Sequence, residues 1–575
     1  MEIIKKKKRG DVHPYIPELK ELYRGGRITR REFVRNAAML GLSLSSASAF
    51  LAACAPATPE VIEKEVIVEK EVPVTVEVEK EVVVEKVITA TPASVVKRGG
   101  ILRVDWPWIP YVDDPAKDGV GTSEAARCAA ETLVQLDENN ALHPLLCERW
   151  EASEDVKEWT LYLQQGVKFN NGKDFNADDV VWNFLHWLDP DTGSPLGDKF
   201  SFLSPSGVEK VDDYTVKLHL DKPSFTVPYH LWSYSSIIMP EGGCAFYDGE
   251  AIGTGPYLMK EFHPDERMEF VRREGYWQDG VDGKPLPYLD GIRFLFFEDD
   301  PAKLAAMTKG ELDILYGRSP AGGIMEQLEK NPDIVVERKH ARSTNNMRVR
   351  CDTAPFDDPR VRNAMKWCQD RERIRQLTYF GHGLTAYDHW VSPINPAYYP
   401  LEDRPQDIDR ARALLAEAGY PDGLETEITV EAGERGEDMA LVYKEEAAKA
   451  GIRVIINALP GAAFWDQWDE WPFAITGWNG RPVFANLTAG CRCGAVWNEM
   501  HWCNEEFDAV LDQIQATLDV EERRGLVRRL EEIMQEDSGF LLPYWSDASG
   551  AYRRQIQNYT KHTAPHYYLL NVWLA

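Results

Sequence analysis

Apolar and polar positions change rhythm several times along this chain, and each change marks an element. Residues 37–53, AAMLGLSLSSASAFLAA, are an unbroken run of apolar and small residues with no charge after Arg35. Residues 55–97 alternate differently. They are built almost wholly from Val, Ile, Glu and Lys, with VEKEV recurring at Val68 and Val78. Alternation favours strands, yet the segment holds no aromatic residue and Pro73 interrupts both a helix and a sheet interior, so it reads as an extended tether, with an oligomerising rod as the alternative. At roughly 3.3 Å per residue its maximum reach is about 140 Å.

A folded body is predicted from near Lys97. ILRVDWPW, from Ile101, reads as a first strand, followed by a helix around Ser123 to Leu133. EWTLYLQQGVKFNNGKDF alternates like a hairpin, with turn chemistry at Asn170, Asn171 and Gly172. The next helix has a written start: Asn176 as N-cap, Asp179 three residues on, and Phe175 and Val180 spaced as a hydrophobic staple. Its apolar face is expected to run through Val180, Val181, Phe184, Leu185 and Leu188. Further on, Asp407 caps DIDRARALLAEAG, Leu414, Leu415 and Ala418 give it a buried stripe, and Gly419 and Pro421 end it. ETEITV, YKEEAAKAG and IRVIINAL then alternate strand, helix, strand, the signature of an open α/β lobe. FAITGW predicts another strand, EERRGLVRRLEEIMQED an amphipathic helix through Leu526, Leu530 and Ile533, and PYWSDASGAYRRQIQNYTK a closing strand and turn.

Length and charge narrow the function. A chain of 575 residues exceeds what one growing core holds, so more than one lobe is expected. The formal net charge of −28 argues against nucleic acid, because a phosphate-backbone binder needs a basic face to release counterions. The only dense basic run, Lys5 to Arg9, lies upstream of the apolar run and reads as the positive flank of a signal peptide.

That flank completes an export signal. Arg30 and Arg31 in TRREFVR resemble the twin-arginine signal, residues 37–53 are too short and too small-residue-rich for a membrane span, and Leu51-Ala52-Ala53-Cys54 matches the bacterial lipobox, with lipid expected on Cys54. Eight cysteines remain. In CRCGAVWNEMHWC, Cys491 or Cys493 could close a short loop with Cys503, while His501 adds a zinc-like set whose spacing lacks the usual two-residue gap. Cys351 and Cys368 read as buried free thiols.

No nucleophile elbow, HExxH, phosphate-binding Gly loop or GxGxxG occurs. Asp178 and Asp179 are helix-start charge, Glu298 to Pro301 a capped helix entry, and DPDTG from Asp189 a surface turn that lacks the closing Glu of a calcium loop, Phe200 standing there. The anomaly is aromatic, with 18 Trp and 23 Tyr. Trp465, Trp468, Trp471, Trp478 and Phe484 flank the FAITGW strand, and ligands in open α/β lobes sit beyond the carboxyl ends of strands, which turns Trp478 and the loop after it toward a cleft. The rival reading is a packed aromatic cluster.

Four ordered stretches carry a resemblance. HPLLCERWEASEDVKEWTLYLQQGVKFNNGKDFNADDVVWNF, GTGPY at Gly253 to Tyr257, APFDDPRVRNAMKWCQDRERI and DIDRARALLAEAGYPDGLE resemble, in order, motifs of the extracytoplasmic solute-binding proteins of family 5, the oligopeptide, dipeptide and nickel binding proteins of ABC importers. The resemblance implies a periplasmic-binding-protein-like type II fold: an α/β body of two lobes with a hinge, plus a smaller subdomain inserted in the first lobe. It implies no enzyme, no cofactor and no metal, and a monomer that takes a small-molecule solute to ABC permease membrane subunits. It also implies a disulfide in the Cys491/Cys493/Cys503 region. In peptide-binding relatives the loop after the FAITGW-type strand carries acids, one of which pairs with the peptide amine; here Arg481, Pro482 and Val483 stand there. Gly121, Thr122 and Ser123 match the first-lobe segment that lines the cleft in relatives. The expected ligand set is therefore Trp478, Arg481, Gly121, Thr122, Ser123 and Trp465. The expected organisation is a signal peptide over 1–53, a tether over 54–97 and a solute-binding body over 98–575, with lobe 1 about 98–340 and 545–575 and lobe 2 about 341–544.

Overall fold

Ten strands, β1 (Ile101–Trp106), β2 (Tyr257–His263), β3 (Arg267–Arg272), β4 (Gly291–Phe296), β5 (Ile314–Gly317), β6 (Ile334–Val349), β7 (Leu424–Glu431), β8 (Ile452–Leu459), β9 (Phe473–Trp478) and β10 (Tyr544–Arg553), form the path β8-β7-β9-β6-β10-β5-β1-β4-β3-β2 through one mixed sheet, to which the short strands Leu384–Thr385 and Phe540–Leu541 add on β10 and β6. The structure is a computed structural model that describes residues 96–106, 113–117, 123, 125–138, 141–264, 266–297, 299–317, 323–478, 483–563, 566 and 568–575. The export signal with Arg30 and Arg31, the lipobox Cys54, the tether, Gly121, Thr122 and Arg481 lie outside the described residues. No described helix is long and apolar enough to cross a membrane.

Two strands join the halves of this sheet. β6 and β10 pair antiparallel from Ile334 opposite Arg553 to Thr344 opposite Trp545, and their register shifts between His340 and Ser343. On one side of the shift β9 covers β6, from Val349–Phe473 to Thr344–Trp478. On the other side β5 covers β10, from Ile314–Tyr552 to Gly317–Ser549. The pair is thus a narrow bridge, with a lobe hung on each end, which is the two-lobed type II architecture. Around the shift, His340 Nδ1 lies 2.8 Å from Asp547 Oδ1, and Asp547 Oδ2 accepts from the Gly383 amide at 2.9 Å.

The first lobe also carries a separate antiparallel sheet, in the order Cys147–Ala152, Glu158–Leu163, Thr215–His219, Val208–Asp212. The helix Ala177–Leu188 packs on it, and its start is the one written in the sequence: the Asn176 side chain and Asp179 form a complete capping box. Phe175 and Val180 are both fully buried, each contributing about 1.5–3 kcal/mol. The buried face differs from the expected one. Leu185 is exposed, while Asn183 and Trp187 turn inward, and Asn183 donates from Nδ2 to the Met239 carbonyl at 2.7 Å. A polar side chain is tolerated there because it satisfies a buried backbone group.

Two further expectations are corrected. The helix over Ser123 to Leu133 is cut short: Ser123, Ala125 and Ala126 are helical, Arg127 to Ala129 turn, and Thr132 already bridges to Ile237. Tertiary pairing overrides local propensity there. The hairpin shrinks to one bridge between Lys168 and Asp174 around a left-handed Gly172, because Glu158–Leu163 pairs with two other strands instead.

In the second lobe, Leu424–Glu431, the helix Arg435–Lys449 and Ile452–Leu459 form a β-α-β unit with the strands parallel in register. Asp407 caps Ile408–Glu417 through the Arg410 amide, burying Ala411 and Leu415.

Candidate functional site

The strand directions set the site. β6 runs into the second lobe and β9 runs antiparallel to it, so β9 ends at Trp478, opposite Thr344, beside the shift in register. β5 runs antiparallel to β10 and ends at Gly317, so from the first lobe too a strand carboxyl end points to the bridge, with β1 parallel beside it. Both lobes therefore aim strand carboxyl ends at one place, where open α/β sheets bind ligands.

Trp478 sits at that end but is only 8% exposed. Its ring stands edge-on to Trp390 at 4.7 Å and to Trp497 at 6.2 Å, and its Nε1 donates to Glu499 Oε1 at 2.7 Å. Glu499, itself buried, also accepts from Thr476 Oγ1 at 2.9 Å and from Arg348 Nε at 3.2 Å. The fully buried Arg348 guanidinium additionally donates to the carbonyls of Trp468 and Trp471, so the aromatic segment before β9 is tied to the same carboxylate. Burial lowers the Arg348 pKa, with Glu499 working against it. Glu499 thus ties the indole of Trp478 to Thr476 and Arg348.

Glu499 lies inside a covalent ring. The structure bonds Cys493 to Cys503, while Cys491 stays a free thiol, fully buried, with its pKa pushed up by burial. A bridge that uses Cys493 and Cys503 leaves the zinc-like set only the buried Cys491 thiol, and His501 instead places Nδ1 3.0 Å from Asp352 Oδ2. Cys368 is a buried free thiol and Cys351 a half-buried one. The same ring presents Trp497 to a recess of about 820 Å³, whose other walls include Lys117, Trp187, Asp189, Ser194 and Tyr234 of the first lobe. That volume is in the range of small-molecule sites. Lys117 Nζ stands 2.9 Å from Asp113, which raises its pKa, and Lys199 Nζ lies 4.3 Å from the Tyr234 ring centroid. Among the described residues no cluster of three His, Cys, Asp or Glu could hold a metal ion.

The predicted residues do not all meet. Trp465 is 44% exposed, donates to Glu431 Oε2 at 2.8 Å at the end of β7, and contacts Phe464 and Trp468 rather than Trp478. Ser123 is fully buried, and its hydroxyl has no hydrogen-bond partner among the described residues. Sequence reasoning missed Trp390, Trp497, Glu499 and Tyr234. Trp497 and Glu499 were within reach, since they lie between the paired cysteines, but nothing local marks Trp390 or Tyr234.

The motifs behind the family resemblance are frame, not site. Arg362 donates to the Phe356 carbonyl at 2.8 Å and to Asp537, Lys366 Nζ donates to the last carbonyls of the helix Val520–Asp537, at Met534 and Gln535, both 3.1 Å, and Arg371 pairs with buried Asp388. In GTGPY a Cβ on Gly253 would stand 2.2 Å from the Ala129 carbonyl oxygen, so glycine is required for that close approach.

Comparison with known proteins agrees with this fold. The profile of the bacterial extracellular solute-binding proteins, family 5 Middle, matches residues 141–487. Heme-binding protein A of Haemophilus influenzae is 26% identical over 467 residues, 74% of this chain and 83% of the relative. The dipeptide-binding protein of Escherichia coli is 25% identical over 453 residues, 72% of this chain and 83% of the relative. The ABC transporter-associated periplasmic binding protein DppA of Helicobacter pylori, solved with the peptide STSA, superposes with a TM-score of 0.69 at 22% identity, covering 83% of this chain and 98% of the other.

Proposed function

Because this chain belongs to the bacterial extracellular solute-binding proteins, family 5, and so is a binding protein rather than an enzyme, we propose that it captures a small solute between its lobes and delivers it to the membrane subunits of an ABC importer. The observation that carries this reading is the recess of about 820 Å³ in the first lobe that Trp497 of the second lobe closes on one side. Rotation of two bodies about so narrow a connection is hinge closure, and no bond is made or broken. We divide the body at the shift in register, with lobe 1 about 98–340 and 545–575 and lobe 2 about 341–544. Upstream, the twin-arginine pair Arg30 and Arg31 exports the chain and lipidated Cys54 holds it, as a monomer on a long tether, at the outer face of the cell membrane.

The solute is peptide-like or carries an anionic or hydroxyl-rich end. A loop with Arg481 in place of an acid disfavours a free peptide amine, whose ammonium would be buried beside a like charge. Calorimetry against di- and tripeptides, opine-like acids and oligosaccharides tests this. Anionic or polyhydroxylated compounds are expected to bind, with Arg481→Ala costing about 2–5 kcal/mol if it meets ligand charge in the closed cleft. Tight binding of unmodified dipeptides, undiminished by Arg481→Ala and Trp478→Phe, would defeat the assignment of this loop.

A further inference from the structure

The first lobe also reaches the second outside the β6–β10 bridge. The loop after the strand Thr215–His219 carries Ser224, Phe225 and Thr226, and Phe225 is nearly buried. Its ring lies 5.4 Å from that of Phe484 at 75°, and the Arg523 guanidinium sits 4.0 Å from its centroid. Its amide donates to the Gln515 carbonyl at 2.9 Å, while Ser224 Oγ lies 3.3 Å from Gln515 Oε1. Phe484, Gln515 and Arg523 all belong to helices of the second lobe: Val483–Gly490, Glu505–Gln515 and Val520–Asp537. The Gln515 carbonyl closes its helix and has no partner within it, so the incoming Phe225 amide satisfies an orphan acceptor at the negative end of the helix dipole.

From this contact we infer that the protein carries its own latch for lobe closure, with Phe225 as the tongue and the Phe484, Gln515 and Arg523 surfaces as the keeper. A rotation about the β6–β10 bridge that lifts the first lobe off the second on this side draws Phe225 away from Phe484, because the two rings ride on different lobes. Phe225 and Phe484 pack in one buried cluster with Trp390 and Trp478. A partly open cleft lined by Phe225, Tyr229, Asn395, Ala397, Phe484 and Arg523 runs beside the contact, so water reaches the edge of the seam. Arg523 Nε is buried there without a hydrogen-bond partner, and opening would return it to water. The closed form is thus favoured by two rings and a backbone bond and opposed by a dry N–H. Solute-free protein is accordingly biased toward closure, and solute adds to a bias that already exists. The inference rests on closure of the two lobes and is independent of which solute binds.

Hydrogen exchange and small-angle X-ray scattering on the full chain without solute test the latch. The Phe225 amide should be protected in the parent protein. Phe484→Ala, which touches no atom of the Phe225–Gln515 hydrogen bond, should speed its exchange by roughly tenfold or more and raise the radius of gyration, leaving β2 and β3 protected. Phe225→Ser should expand the molecule by the same amount, and the double variant by no more than either single one, since both break one contact. Phe225→Leu should restore part of the closure. Unchanged protection at Phe225 together with unchanged scattering in Phe484→Ala would overturn the latch. So would faster exchange that spreads into β2 and β3, because the contact would then support the fold rather than gate it.

Discussion

His230 shows how one side chain sets a response of the whole molecule. It is buried, with Nε2 3.0 Å from Thr226 Oγ1 and its ring against Phe200 and Phe202, and burial, helped by nearby Lys199, pulls its pKa down to about 3. The imidazole is therefore neutral in the folded protein while the unfolded one protonates near pH 6.5. Between these values the unfolded state binds more protons, so this group's contribution is intact above about pH 6.5 and falls on acidification, by up to about 1.4 kcal/mol per pH unit. His230→Gln should show a flatter loss of stability from pH 6.5 to pH 4 in urea titrations; parallel curves for the two proteins would exclude His230 as the source. Lys366 acts in the same sense over a higher pH window. Burial lowers its pKa to about 7, with Asp388 opposing, so its contribution grows as pH rises from about 7 toward 10.5. Neither shift is legible in the sequence, where His230 and Lys366 are ordinary polar residues and only the surrounding elements make them anhydrous.

Among elements, the Cys493–Cys503 ring does the most for the site, since it holds both Trp497 and the carboxylate that pins Trp478. Closing a loop with a sequence separation of 10 should contribute about 2–4 kcal/mol, mainly by restricting the unfolded chain. Cys503→Ser is expected to lower the unfolding free energy by that amount and to expose Trp478 to an external quencher; a midpoint equal to the parent's would show the ring to be dispensable. The capping box at Asn176 belongs to the same scale, yet it was readable in advance because all its partners lie within four residues. The pairing of Cys493 rather than Cys491 was not. It depends on which thiol the helix Val483–Gly490 carries into the core, and Cys491, at the end of that helix, is the buried one.

At the scale of the whole molecule, the proposed anchor and the hinge make separate demands. A lipid on Cys54 would hold the chain while the tether lets the body range, so Cys54→Ala should leave the protein exported but free of the membrane, because stable anchoring requires acyl chains in the bilayer. Cell fractionation decides this, and recovery of the variant with membranes would remove Cys54 from its assigned role. Replacing both Arg30 and Arg31 with Lys should stop export through the twin-arginine route; continued export would point to the general secretory route instead.

The sequence by itself determined the local elements and the family: the Asn176 and Asp407 caps, the parallel β-α-β unit around Arg435–Lys449, the strand ending at Trp478 and the Arg362 to Arg371 frame are encoded within a few turns of chain. Only the tertiary structure decided that Trp478 is covered by Trp390 and held by Glu499, that Trp465 stands apart, that Leu185 faces out, and that Phe225 meets Phe484. The physical reason is range. Periodicity and capping act between neighbours in the chain, whereas a cleft is made by side chains far apart in sequence, which the sheet order and the β6–β10 bridge bring together.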